Sequence, residues 1–431
     1  MKKLFFTIFF IPLLFLSQQL YFPPVVGNTW DTISPQSLGW CQNKIDSMYA
    51  FLDSSNTKSF ILLKNGKIVL EKYFGNHTAT TSWYWASAGK TLTSFMVGIA
   101  QQEGHLNIND TVSNYLGNGW TSCTQAQEEK IKIKNLISMT SGLDDLVPDH
   151  YCTLDTCLIY KADAGTRWAY HNGPYTLLDS VINIATGVTL NQYLTQKLKT
   201  PTGMTGMFYP SGYNNIFVSN ARSMARFGLL ILNNGNWNGN QILTDSVYFY
   251  QMTHSSQTLN KAYGYLWWLN GSSDFMVPFS QLVFPGQMIT DAPQDMISAI
   301  GKNGQFINIV PSQNLVWIRM GDAPDSSDVP FLLNNDIWKY INDLTCSSVG
   351  LSELNNNSNI DLFPNPAKDF IEVKTSGTPI ESIEILNCLG QNISAEKGNI
   401  IKTDFLNQGI YYLKIRRGQN IVIKRFIKAD Y

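Results

Sequence analysis

The sequence predicts an α/β (α+β) protein, with a central antiparallel sheet, flanking helices, a helical subdomain and a small C-terminal β-sandwich. Three observations carry this. Strand-like runs at residues 60–63 and 68–73 flank Lys64-Asn65-Gly66, and an Asn-Gly pair between such runs signals a hairpin. Leu92, Phe95, Met96 and Ile99 recur at the spacing of a buried helix face. Beyond an asparagine-rich stretch at 347–359, short alternating strands follow one another with turn signals between them, the texture of a sandwich.

From the start of the chain, Met1-Lys2-Lys3 precedes an apolar run from Leu4 to Leu16 and then Ser17-Gln18-Gln19. This is the layout of a secretory signal peptide over residues 1–19. The run is short for a membrane span, so no integral membrane segment is expected in the mature chain. No cysteine follows it directly, which argues against a lipoprotein anchor. A length of 431 residues suits one large domain, 20–346, then a linker at 347–359 and a small domain, 360–431. A formal net charge of -1 gives no sign of nucleic-acid or anionic-membrane binding.

The run Trp85-Ala86-Ser87-Ala88-Gly89-Lys90 opens the Leu92–Ile99 helix. A serine hydroxyl needs a group to take its proton before it acts as a nucleophile, and a lysine three residues on lies on the same helical face. A serine at a helix start also offers its backbone N–H to an oxyanion. Ser-x-x-Lys occurs at Ser55, Ser87 and Ser394, but only the Ser87 copy leads straight into a long apolar-periodic helix. Tyr170-His171-Asn172 precedes a helix expected over 175–185, packed through Leu177, Leu178, Val181 and Ile182. A tyrosine beside a lysine cation can be lowered in pKa enough to serve as a base, and an asparagine amide can orient lysine and substrate. Lys302-Asn303-Gly304 precedes a strand-like run, and there the lysine supplies positive potential while the glycine permits close approach of substrate. The same tripeptide at 64–66 reads as a hairpin turn, and 302–304 admits that reading too.

Taken together and in order, these motifs resemble the class C-type serine β-lactamase-like hydrolases. That group holds β-lactamases, D-alanyl-D-alanine carboxypeptidases, short-chain esterases and 6-aminohexanoate-dimer hydrolases. The resemblance extends over residues 40–346 and takes in 133–143, 219–235 and the strand-like segments at 263–268 and 301–305. It implies Ser87 as acylated nucleophile, with Lys90 and Tyr170 sharing the general-base role. It further implies Asn172, Lys302, Gly304 and Gln305 as substrate-binding residues, with the N–H groups of Ser87 and Gln305 forming the oxyanion hole. Penicillin-recognising members carry a hydroxyl residue where Asn303 stands, so an ester or amide of another kind competes with β-lactams and D-alanyl peptides as substrate. A transpeptidase-like role and a non-catalytic surface binding protein on the same fold are further readings.

Phe363-Pro364-Asn365-Pro366, Leu389-Gly390-Gln391 and Leu406-Asn407-Gln408-Gly409-Ile410-Tyr411 resemble the C-terminal sorting domain of the type IX secretion system, with a carbohydrate-binding sandwich as competitor. The resemblance implies secretion machinery as partner and the cell surface or medium as destination. Six cysteines in an exported chain admit disulfides. The expected antiparallel neighbourhood of the first and last helices pairs Cys41 with Cys346. Cys152–Cys157 closes a short loop beside the site, with Cys123 as rival partner, and Cys388 reads as a buried thiol of the tail. The five histidines show no metal-ligand spacing, and of these His171 alone has a plausible local role. Asp144 and Asp145 read as turn residues. Trp83 and Trp85 flank Ser87 and are expected to wall the pocket. No cofactor or metal is implied.

Overall fold

A computed structural model describes residues 20–346, 360–375, 379–387, 390–418 and 420–429. The expected signal peptide, the 347–359 linker and Cys388 lie outside the described residues. The chain divides into two compact units, one ending at Cys346 and one following it.

In the first unit, the strands used below are β1 (Thr57–Lys64), β2 (Lys67–Tyr73), β3 (Ser82–Tyr84), β4 (Met207–Ser211), β5 (Asn214–Asn220), β6 (Trp268–Leu269), β7 (Ile297–Gly301), β8 (Gln305–Val310) and β9 (Leu315–Gly321). The helices used below are α1 (Gln42–Ser54), α2 (Lys90–Gln102), α3 (Asn172–Thr176), α4 (Leu178–Thr186), α5 (Ala221–Leu232) and α6 (Phe331–Asn342). The antiparallel central sheet runs β2-β1-β9-β8-β7-β6, and β3-β5-β4 form a smaller sheet. The Asn65-Gly66 turn closes β1 onto β2 with φ of 51° and 79°, the positive pair that a two-residue hairpin needs.

Alternation along the strands sorts the layers. Trp317 and Phe306 lie 6.1 Å apart, and Trp317 meets Trp338 of α6 edge-on at 5.9 Å. The next positions, Val316 and Ile307, turn to the opposite face and meet Gly228 of α5. A Cβ on Gly228 would stand 2.6 Å from Val316 Cγ1, so glycine is what lets the helix axis approach the sheet. The apolar period of the Ser87 helix, α2, would also suit a place on this face. It packs instead behind α5, joined by the Phe95–Phe227 edge contact at 5.9 Å. Lying between layers, α2 is buried from Lys90 to Ala100 all round, more than its one-sided period indicates.

The helices α1 and α6 lie together, with Phe51 stacked on Tyr340 at 4.6 Å and the Cys41–Cys346 disulfide at their free ends. Cys152–Cys157 is the second disulfide, and Cys123 remains a free thiol. The second unit has two antiparallel sheets, one of Ile360–Phe363, Phe370–Thr375 and Ile400–Lys402, the other of Asn392–Glu396, Ser382–Leu386, Gly409–Arg417 and Asn420–Lys428. They enclose a core of their own, including Ile371, Val373, Ile383, Leu413 and Phe426. Among the described residues, no helix is long and apolar enough to cross a membrane.

Candidate active site

Ser87 sits in a 3-10 turn, Ala86–Gly89, immediately ahead of α2. Ala86 holds φ of 47°, a strained value for a residue with a Cβ. The turn is held from several sides. The Trp85 backbone N–H donates to Phe217 O at 2.8 Å, and its indole donates to Ser219 Oγ at 2.8 Å. Gly301 of β7 abuts it so closely that a Cβ there would lie 2.5 Å from Trp85 O.

Lys90 Nζ donates to Ser87 Oγ at 3.1 Å. The side chain is 3% exposed and sits over the rings of Tyr175, at 4.4 Å, and Tyr170, at 5.4 Å. Burial penalises the ammonium form and brings its pKa down to about 7, while the field of Asp179 offsets part of the shift. Burial likewise lifts the Asp179 carboxyl to about 7, against the Asn215 amide that donates to it at 2.8 Å.

Tyr170 stacks on Trp268 at 5.9 Å and meets Tyr263 edge-on at 6.2 Å. The sequence reading expected a lysine neighbour to lower this phenol. Burial among aromatic rings pushes it far up instead, and the Ser87 hydroxyl offsets only part of that. Asn172 opens α3, is 3% exposed, and its Oδ1 has no hydrogen-bond partner among the described residues. Behind it, a Cβ on Gly173 would stand 2.4 Å from Cys152 O, so glycine here admits the loop closed by Cys152–Cys157.

Lys302-Asn303-Gly304 is both things the sequence allowed. It is the turn between β7 and β8, with φ of 62° at Asn303 and 78° at Gly304, and it brings Lys302 to the cavity. The Asn303 amide donates to the Tyr84 hydroxyl at 2.7 Å, so it is turned to another partner. Gly304 and Gln305 do not line the cavity. A Cβ on Gly304 would stand 2.5 Å from Nη1 of the fully buried Arg319, so this glycine serves packing as well as its positive φ. Arg319 ties the turn in place by donating to Gly304 O at 2.7 Å and Asn303 O at 3.1 Å, with further bonds to Thr57, Ser55 and Asp322. The Gln305 side chain is buried and clamps Gly321 through a 2.6 Å bond to its carbonyl.

Ser87, Tyr170, Asn172 and Lys302 thus border one cavity of about 170 Å³, with Lys90 at its floor through Ser87. Such a concave site, with apolar walls and convergent polar groups, is the kind of place in which small substrates bind.

Residues 56–330 match the family model described as Beta-lactamase. The chain belongs to the Beta-lactamase family. Members of this family are hydrolases, and the protein carries their fold. Residues 361–429 match a secretion system C-terminal sorting domain, which directs type IX secretion to the cell surface or the extracellular space. An uncharacterized protein of Alkalihalophilus pseudofirmus is 25% identical over 306 residues, 62% of this chain and 84% of that one. Protein flp of Staphylococcus aureus is 29% identical over 167 residues, 34% of this chain and 33% of that one. A Bacteroides dorei structure assigned as a beta-lactamase is similar with a TM-score of 0.55 and 17% identity, covering 71% of this chain and 99% of that one. A Bacillus anthracis structure assigned as a 6-aminohexanoate-dimer hydrolase gives 0.53 and 19%, covering 76% and 89%.

Within this β-lactamase-family site, several walls escaped the sequence reading. His150, Tyr151, Trp268, Phe279 and Asp328 line the cavity. The signal for the first two was their place beside Cys152, and Trp268 ends the 263–268 segment that the resemblance takes in; Phe279 and Asp328 carry none. Trp83 and Trp85, expected there, do not line it. Trp85 is fully buried against Phe217 and Phe227, and the Trp83 indole donates to Gly321 O at 3.3 Å. His171 also points elsewhere: it is 2% exposed, both ring nitrogens lack partners among the described residues, and burial brings its pKa down to about 4. Asp145 pairs with Arg167 at 2.6 Å and Asp144 with Lys161 at 3.2 Å, away from the cavity. No group of three or more His, Cys, Asp or Glu side chains among the described residues is placed to hold a metal ion.

Proposed function

We propose that this protein is a secreted serine hydrolase that cleaves an ester or amide bond of a small substrate through an acyl-enzyme on Ser87. The observation that carries the reading is the Lys90–Ser87 pair: an amine with a pKa near 7, 3.1 Å from the hydroxyl it would deprotonate. In the first step the neutral Lys90 amine takes the Ser87 proton as Oγ bonds to the acyl carbon. The Ser87 N–H, at the turn ahead of α2, receives the oxyanion. Tyr170, kept protonated by burial, passes its phenolic proton to the leaving group and is reprotonated from the Lys90 ammonium. Water then attacks the acyl carbon, and its proton returns by the same route to Ser87 Oγ. Asn172 offers its free Oδ1 to a substrate N–H.

A second reading, β-lactamase or D-alanyl-D-alanine carboxypeptidase, draws on Lys302 at the cavity. It is separated by a cephalosporin reporter.

The test is hydrolysis of p-nitrophenyl acetate by the purified protein and by Ser87→Ala. The wild type is expected to turn over and the variant to fall to the buffer rate. Equal, substantial rates in both would place the chemistry on another residue.

A further inference from the structure

The cavity carries a charge arrangement that the family resemblance does not supply. Lys302 Nζ lies 3.1 Å from Asp328 Oδ1, and both residues line the cavity. With burial holding His150 towards its neutral form, these two carry the full charges of the lining at neutral pH. The ion pair is solvent-accessible, with side chains 54% and 77% exposed, so it adds little stability. Its position is fixed by the backbone instead. Asp328 O accepts the Asn303 N–H at 2.9 Å, so the acid rides on the same turn as the lysine. That turn is held by Arg319, which also bonds Asp322 O at 2.9 Å, near the start of the segment leading to Asp328. A carboxylate approaching Lys302 also meets the Asp328 charge only 3.1 Å from the ammonium, and the two fields oppose each other. The Asn303 amide donates to Tyr84 at 2.7 Å and does not line the cavity. Beyond these charges and the polar groups of Ser87, His150, Tyr151, Tyr170 and Asn172, the walls are apolar: Trp268, Pro278, Phe279, Ile300 and Val329.

We propose that Asp328 makes this site select substrates without a carboxylate, by cancelling the charge that Lys302 would otherwise offer. This rests on the hydrolase reading and names its substrate class: neutral, apolar acyl groups.

The experiment compares p-nitrophenyl butyrate with mono-p-nitrophenyl glutarate, whose acyl chain ends in a carboxylate. The full chain is expected to prefer the neutral ester at least thirtyfold in kcat/KM. Asp328→Asn should shrink that preference at least fivefold, and adding Lys302→Met should cancel the gain. Asp325→Asn, a charge removal in the same segment, should move the ratio less than twofold. Raising the salt concentration should weaken the Asp328 effect. A wild type indifferent to the carboxylate, or a ratio unmoved by Asp328→Asn, overturns the proposal. Calorimetric binding of the matching non-reactive pair, butyramide and glutaramate, to Ser87→Ala gives the comparison without turnover. Absence of turnover therefore counts against the hydrolase reading, and tighter binding of glutaramate counts against this one.

Discussion

A buried lysine is an expensive residue, and Lys90 shows what the expense secures. Its amine is excluded from water, which disfavours the ammonium and keeps a base available near neutrality beside Ser87. In the proposed mechanism the neutral amine is the active form, so kcat/KM is expected to rise with pH and level off above about 7. A flat profile between pH 6 and 8 would exclude Lys90 as the proton acceptor. Lys90→Met should lower kcat/KM at least a hundredfold yet raise the thermal midpoint, because an apolar side chain suits the site better than a buried ammonium. A lowered midpoint would show the lysine to be a structural partner. His171 tests burial in another way. Its folded pKa, about 4, lies below the ordinary 6.5, so its contribution is complete above pH 6.5 and is lost as pH falls towards 4. Between pH 7 and 4.5 the wild type should lose about 2–3 kcal/mol more unfolding free energy than His171→Leu does, read by urea titration. Parallel losses would mean that His171 does not titrate differently on unfolding.

At the scale of elements, the two disulfides divide their work by loop length. Cys41–Cys346 closes 305 residues and Cys152–Cys157 only 5. By chain entropy the first is worth about 6 kcal/mol and the second about 2 kcal/mol. The short one lies next to His150 and Tyr151, which line the cavity, and against Gly173 behind Asn172. Replacing both members of the short pair with serine should therefore lower kcat/KM more than tenfold with a small change in urea midpoint. Replacing the long pair should do the reverse, and the opposite ranking would refute this division. The elements themselves were legible where local chemistry specifies them. Asn65-Gly66 dictates a turn, and the apolar period after Ser87 dictates a helix. The sequence did not reveal that α5 rather than α2 contacts the sheet, since that choice rests on Gly228 meeting Val316 and Ile307, residues 88 and 79 positions away.

For the whole molecule, two separate cores predict two separable roles. The hydrolase core reaches from Trp30 to Leu344 and the tail core begins at Ile360. A chain ended after Cys346 is expected to keep ester hydrolysis within twofold while losing export by type IX secretion. Loss of activity in that shortened, folded chain would show that the tail contributes to the site. The motif residues of the site were visible in the sequence because each sits in a short pattern on one element. Phe279 and Asp328 were not, because they come from distant segments that meet only in the fold. The pKa of Tyr170 was misjudged for the same reason: the rings of Trp268 and Tyr263 that bury it lie far off in sequence. The acyl-enzyme on Ser87 is detected outright by mass spectrometry of the protein quenched with acid during turnover of p-nitrophenyl butyrate. The account predicts one butyryl group, on the peptide containing Ser87, absent from Ser87→Ala. Turnover with no adduct, or an adduct on another residue, would contradict it.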